Sequence, residues 1–149
     1  MRLSARVDYA LRAVAELAAG GGSPLTSEKV ARAQGIPPKF LESILLQLRR
    51  GGVVQSQRGP EGGYWLARPA GEISLADVIR VIDGPLANVR GQRPEALGYQ
   101  GAARALQEVW VALRASERAI LDQVSVADVA SGTLPESVQR LTSDPGAWS

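Results

Sequence analysis

Lys39, Glu42, Ser43 and Gln47 recur along a predicted helix, on the side away from Leu41, Ile44, Leu45 and Leu48. Serine and glutamine both donate and accept hydrogen bonds, lysine donates and ionised glutamate accepts. Such a set suits the edges of base pairs in a DNA groove, where donors and acceptors are patterned. Further on, Arg58 opens the run Arg58-Gly59-Pro60-Glu61-Gly62-Gly63. One cation on a rigid glycine–proline tip has little packing use, and an arginine there can enter a minor groove, where the potential is negative. Upstream, Thr26 and Ser27 open another predicted helix. They serve as caps, and a helix N-terminus also holds phosphate. Arg2, Arg6 and Tyr9 are further candidates for backbone contacts.

Other chemistries are excluded by composition. The 149-residue chain has no cysteine and no histidine. That removes disulfides, thiol nucleophiles, Ser-His-Asp triads, ordinary zinc sites and thiolate-held clusters. Without histidine, proton shuttling near neutral pH loses its usual carrier, and no constellation supports an enzyme. The net charge of +2 is unevenly divided. Residues 1–68 hold ten basic and five acidic side chains, a balance of +5; residues 69–149 hold seven and ten, a balance of −3. The basic half suits a polyanion. No stretch reaches the ~18 apolar residues of a membrane span. Arg6, Asp8, Arg12 and Glu16 interrupt any signal-peptide core, so a cytoplasmic location without membrane contact is expected.

The elements that must position these residues follow from periodicity and punctuation. A helix is predicted over 4–19, with Ser4 as cap, Val7, Leu11, Val14 and Ala18 on one face, and Gly20 to Gly22 as the stop. A two-turn helix follows over 27–34, capped by Thr26 and ended by Gly35, with Leu25 stapled to Val30. A third spans 37–50, begun by Pro37 and Pro38 and closed by Gly51 and Gly52. The period then shifts to two short strands, 53–57 and 64–67. Ser74 and Asp77 form a capping box for a helix to about Ile82, with Ile73 stapled to Val78. Glycines and prolines make 83–101 irregular. A long helix is predicted over 102–124, with Leu106, Leu113 and Ile120 spaced by seven and Trp110 and Val124 interleaved, an apolar seam for another helix. Ser125 and Asp128 form a second capping box. From Ser131 the composition predicts a mobile tail.

Three short helices and a hairpin within about 65 residues are the order of a winged helix-turn-helix, whose third helix enters the major groove. The runs "MRLSARVDYALRAVAELA", "GIPPKFLESILLQLRRGGVVQSQRGPEGGYWLARP" and "EISLADVIRVIDG" resemble the IscR/NsrR/CymR family (the Rrf-two family) of bacterial winged-helix transcription regulators. The resemblance covers roughly residues 1–130. It implies base contacts from Lys39, Phe40, Glu42 and Ser43, a hairpin tip of Arg58, Gly59 and Pro60 in the minor groove, and a homodimer formed through residues 102–124 on a palindromic operator. Many members carry three cysteines that bind an iron–sulfur cluster; the equivalent stretch, Asn88 to Arg104, has none. Asp8 stands where some members add a carboxylate ligand, but it is one turn from Arg12 and suited to pair with it.

The expectation is a mainly α protein: a winged helix-turn-helix domain over 1–83, a linker or sensing segment over 84–101, dimerisation helices over 102–131 and a flexible tail over 132–149. Its expected function is sequence-specific DNA binding as a homodimeric repressor with no cofactor. A small-molecule or protein effector is left open, with any pocket expected between 84–104 and the partner's first helix, around Arg90, Arg93 and Tyr99. The alternatives are a winged-helix protein-interaction module and a regulator controlled by a partner enzyme.

Overall fold

A computed structural model describes residues 2–149. Its first helix, α1 (Ala5–Ala19), is the hub. Ser4 Oγ accepts from the Val7 amide at 3.1 Å, satisfying one of the four free N–H groups of the first turn. Val7, Ala10, Ala13, Val14 and Leu17 are all fully buried. The small residues among them let neighbouring helices approach closely from several sides. These neighbours are α2 (Ser27–Gln34), α3 (Pro38–Arg50), α4 (Leu75–Asp83) and α6 (Val126–Ser131). Arg12 locks the first of them: it pairs with Asp8 at 3.1 Å, lies over the Tyr9 ring and donates to the Gln34 carbonyl at the C-terminus of α2.

Helix α3 follows Gly35, whose φ of 63° is the left-handed conformation that ends α2. Pro38 at its first position loses no hydrogen bond there. Leu41, Ile44, Leu45 and Leu48 are fully buried, so Leu45→Ala would cost about 2–5 kcal/mol. The strands β1 (Val54–Gln57) and β2 (Gly63–Leu66) pair antiparallel, Val54 opposite Leu66 and Gln57 opposite Gly63. A third strand-like contact joins them: Leu25 and Tyr64 exchange two backbone hydrogen bonds of 3.0 and 2.7 Å. The hairpin is thereby fastened to the connection between α1 and α2.

Both capping boxes form, and they also meet each other. Ser74 and Ser125 bridge antiparallel, with Leu75 N–H donating to Val124 O and Val126 N–H to Ile73 O. The starts of α4 and α6 are thus held together on the hub.

The long helix α5 (Leu106–Leu121) is shorter than 102–124. Gly101 has φ +59° and opens a 3-10 turn over Gly101–Ala103, so regular hydrogen bonding begins only afterwards. At the other end, Val124 leaves the helix to pair with Leu75 and is buried. The tail expected to be mobile carries α7 (Glu136–Thr142) and a 3-10 turn over Pro145–Trp148. No described helix is long and apolar enough to cross a membrane.

Glu117 is the one charged residue among the buried described residues, and its Oε1 has no hydrogen-bond partner. Burial pushes its carboxyl above the ordinary range. The folded state therefore binds this proton more tightly than the unfolded state. The group's contribution is favourable at low pH and is lost as pH rises through the raised value. Glu117→Gln should raise the melting temperature at pH 7.5, and the gain should shrink towards pH 5. A melting temperature that falls at pH 7.5 would mean the carboxylate has an ionic partner.

Candidate nucleic-acid interface

The exposed face of α3 carries Lys39, Glu42, Ser43 and Leu46, at positions one and two turns apart. Arg49 and Arg50 continue it at the C-terminal end, where cations are favoured. Leu46 is 43% exposed although the helix has a full apolar face elsewhere. Its spacing, three after Ser43 and seven after Lys39, already sets it with the polar residues, where an apolar contact suits a thymine methyl.

Gln47 does not share that face, contrary to the sequence-based expectation. Its amide Nε2 donates to the carbonyls of Val81 and Ile82, both at 3.1 Å. These are carbonyls of the last turn of α4, which have no partner within their own helix. Its Oε1 accepts from Arg6 at 2.7 Å. Gln47 is a fastener between α3, α4 and α1. Phe40 is also turned partly inward: it meets Tyr9 edge to face, with centroids 5.4 Å apart, and lies under the Arg6 guanidinium at 5.5 Å. Arg6 further donates to Ser43 Oγ at 3.3 Å. Arg6 therefore sets the rotation of α3, a role visible only once the two helices cross. Arg6→Ala should weaken binding to DNA by about tenfold, through loss of a charge-assisted hydrogen bond and a stacked ring. Titration by fluorescence anisotropy checks this, and unchanged affinity would show that Leu41, Ile44 and Leu45 position α3 unaided.

The hairpin tip is built from backbone constraints. Gly62 N–H donates to Gly59 O at 2.9 Å, and Gly59 has φ +113°. A Cβ on Gly62 would collide with the Gln57 carbonyl oxygen. The tight turn leaves Arg58, Gly59 and Pro60 exposed. Arg49 reaches Ser56 at 3.4 Å, bracing α3 against β1, and Trp65 donates across the sheet to Gln55 at 3.1 Å. Helix α3 and the hairpin are therefore one braced unit.

The remaining predicted contacts are dispersed. Thr26 Oγ1 accepts from the Lys29 amide at 3.2 Å as the cap of α2, beside a half-exposed Ser27. Arg2 is exposed at the far end of α4, in a cavity shared with Leu3, Asp83 and Pro85.

The residues predicted for the seam divide between the surface and the interior of the chain. Leu106, Leu113 and Ile120 are 39%, 39% and 36% exposed, and Val109, at 52%, joins them on the same stripe. Trp110 turns instead to the body of its own chain, donating to the Tyr99 hydroxyl at 2.9 Å. Val124 is buried within the chain. Spacing by seven picks out this exposed stripe; Val109, three residues after Leu106, also lies on it, and Trp110 beside it is partly buried.

The sequence matches the Rrf2 family, described as an iron-dependent transcriptional regulator, over residues 3–132. A protein of Mycobacterium tuberculosis named as an HTH-type transcriptional regulator, Rv1287, is 53% identical over 145 residues, covering 97% of this chain and 90% of that one. The HTH-type transcriptional regulator CymR of Bacillus subtilis is 34% identical over 134 residues, 89% of this chain and 92% of that one. Among solved structures, CymR, called the global cysteine regulator of B. subtilis, superposes with a TM-score of 0.75 at 31% identity over 89% of this chain and 98% of that one. IscR of T. potens does so with 0.71 at 30% identity, over 89% and 88%.

The residues present do not fit the iron that the family's description implies. The chain has neither thiolate nor imidazole to offer, and iron–sulfur sites need thiolates, alone or with imidazoles. Among the described residues no three carboxylates gather as a metal site, and Asp8 is held by Arg12. The named relatives are transcriptional regulators rather than enzymes. With its winged-helix fold and its match along most of its length, the chain belongs to the Rrf2 family of transcriptional regulators.

Proposed function

We propose that the protein is a homodimeric repressor that binds a palindromic DNA site without an iron–sulfur cluster. The observation that carries this is the braced unit of α3 and the hairpin. Lys39, Glu42 and Ser43 are exposed on one helix face, while Arg6, bonded to Ser43 and Gln47, and Gln47, bonded to α4, fix that helix in place. Arg58 projects from the hairpin tip beside it. With α3 in the major groove, the tip reaches the adjacent minor groove. The apolar stripe of α5 supplies the two-fold contact, and a two-fold protein matches a two-fold site.

The deciding experiment selects genomic DNA fragments with the purified protein and sequences them. One enriched palindrome upstream of genes is expected. Absence of any enriched motif at low salt, from a folded dimer, would overturn the reading and favour a protein-interaction module. On that palindrome, Lys39→Ala should cost about 1–3 kcal/mol and relax preference at one base position. Equal weakening on all sequences would assign Lys39 to phosphate instead. The logarithm of affinity should fall with that of salt by about 0.9 per phosphate neutralised.

A further inference from the structure

Four arginines converge on one cavity away from the reading face. Arg80 on α4, Arg93 in the loop beyond it, and Arg114 and Arg118 on α5 line a volume of about 290 Å³ with Gly84, Pro85 and Leu86. No acidic residue lines it. Gathered guanidiniums repel one another unless anions balance them. Carboxylates outside the wall balance only two of the four. Asp122 holds Arg80 through bonds of 3.0 and 3.2 Å, and Glu95 holds Arg114. Glu95 lies below the usual carboxylate range, through its own backbone hydrogen bond first and Arg114 next, with Arg93 adding to the pull. Arg93 and Arg118 form no ion pair of their own among the described residues, and both are exposed.

The backbone at and just beyond the cavity takes conformations uncommon for L residues. Gly84 sits at φ +83° and ψ −158°, a region nearly confined to glycine. Just beyond it, Ala87 and Arg90 are the two described non-glycine residues with positive φ, at 51° and 52°. Such strain gathers at ligand clamps and switch segments. The cavity also stands clear of the stripe proposed for dimerisation: Arg114 and Arg118 lie roughly 100° and 140° around α5 from Leu113, at 3.6 residues per turn.

We propose that this cavity binds a small anion of two or more negative charges, a phosphorylated compound or a polycarboxylate, as the effector of the regulator. The effector role rests on the DNA-binding reading above; the binding itself does not. Arginine forks match both phosphate and carboxylate oxygens, and the volume is close to the roughly 300 Å³ at the small end of ligand pockets. A bound anion ties α5 to the last turn of α4. Gln47 of α3 hydrogen-bonds to that same turn. Occupancy is thereby coupled to the seating of the reading helix.

The test is calorimetric titration of the full chain, without DNA, using pyrophosphate and citrate at constant ionic strength, with acetate as the single-charge control. At least one of the two is expected to bind once per chain and acetate is not. Preference for pyrophosphate identifies the phosphorylated class and preference for citrate the polycarboxylate class. Arg93→Ala/Arg118→Ala should weaken binding about tenfold or more, and Arg104→Ala, outside the cavity, should leave it unchanged. Because the double variant removes like charges, its melting temperature without ligand should not fall. No binding of either anion, or equal binding by the double variant, overturns the proposal. Repeating the titration against the selected palindrome separates the two readings. Anion binding that leaves DNA affinity unmoved overturns the effector role. A protein that binds the anion but binds no DNA, with or without the anion, counts against the DNA reading alone.

Discussion

With the proposed homodimer on a palindromic site, Leu113→Asp should give a monomer and lower the affinity for that site by about 10²–10⁴-fold, the advantage that linking two half-sites confers. Leu113 is the middle of a stripe formed with Leu106, Val109 and Ile120, all at least 36% exposed on a single chain. In a two-fold contact each substitution is present twice. An unpaired carboxylate moved into an apolar seam costs several kcal/mol, or holds a proton, or keeps the helices apart. The change should cost little within the chain, because Leu113 contributes nothing to the buried core. Sedimentation should therefore show a folded monomer. Val111→Asp serves as the comparison: Val111 is 37% exposed on another side of the helix, so the same chemistry there should leave the dimer intact. A dimeric Leu113→Asp variant with unchanged operator affinity would remove α5 from the interface and leave the stripe without a role. Equal loss of dimer in both variants would place the contact all around the helix rather than on the stripe.

That stripe also shows where the sequence was legible and where it was not. Local rules held wherever cause and effect lie within one turn. Ser4, Thr26, Ser74 and Ser125 all accept the amide three residues on, as their types and places predict. Gly35 ends α2 in a left-handed conformation, as a glycine after two turns should. The winged-helix order was legible for the same reason, since each element carries its own start and stop. What a side chain faces is decided by elements far away in the chain. Gln47 has the spacing of an outward residue, yet α4 offers it two carbonyls without partners. Trp110 has nearly the spacing of a seam residue, yet Tyr99 offers its indole an acceptor. Arg6 was open between a phosphate contact and solvent until α1 and α3 crossed. The arginine cavity draws on positions 80, 93, 114 and 118, of which only the last two are one helical turn apart, and the three elements meet only through tertiary packing. In the tail, composition rich in Ser, Pro and Gly hid a local helix: Glu136–Thr142 is helical, opened by Pro135 and carrying an i,i+4 pair between Glu136 and Arg140.

Gly63→Ala should detach the hairpin and cost about 3 kcal/mol or more. Two independent penalties meet at this residue. Its φ of +149° is one that side-chain-bearing residues rarely adopt, a strain of about 1–3 kcal/mol. A Cβ there would also stand 2.6 Å from the Leu25 carbonyl oxygen and 3.0 Å from its nitrogen. Those atoms are the ones that exchange hydrogen bonds with Tyr64, so relieving the clash breaks the bonds. Each bond is worth about 1 kcal/mol. At about 2–4 °C per kcal/mol for a chain of this size, the melting temperature should fall by about 10 °C. Gly21→Ala is the comparison at a positive φ without the clash. Its φ is +66°, and nothing lies within 4 Å of the added carbon, so its loss should be the smaller. DNA affinity adds a second discrimination, because Gly63 is not proposed to touch DNA. If Leu25 only tidies the hairpin, Gly63→Ala lowers stability and leaves affinity alone. If the Leu25–Tyr64 contact aims the tip, the folded variant should bind as weakly as Arg58→Ala, and combining the two changes should add little. An additive double variant would show that Arg58 reaches DNA from a hairpin whose orientation β1, Arg49 and Ser56 already fix.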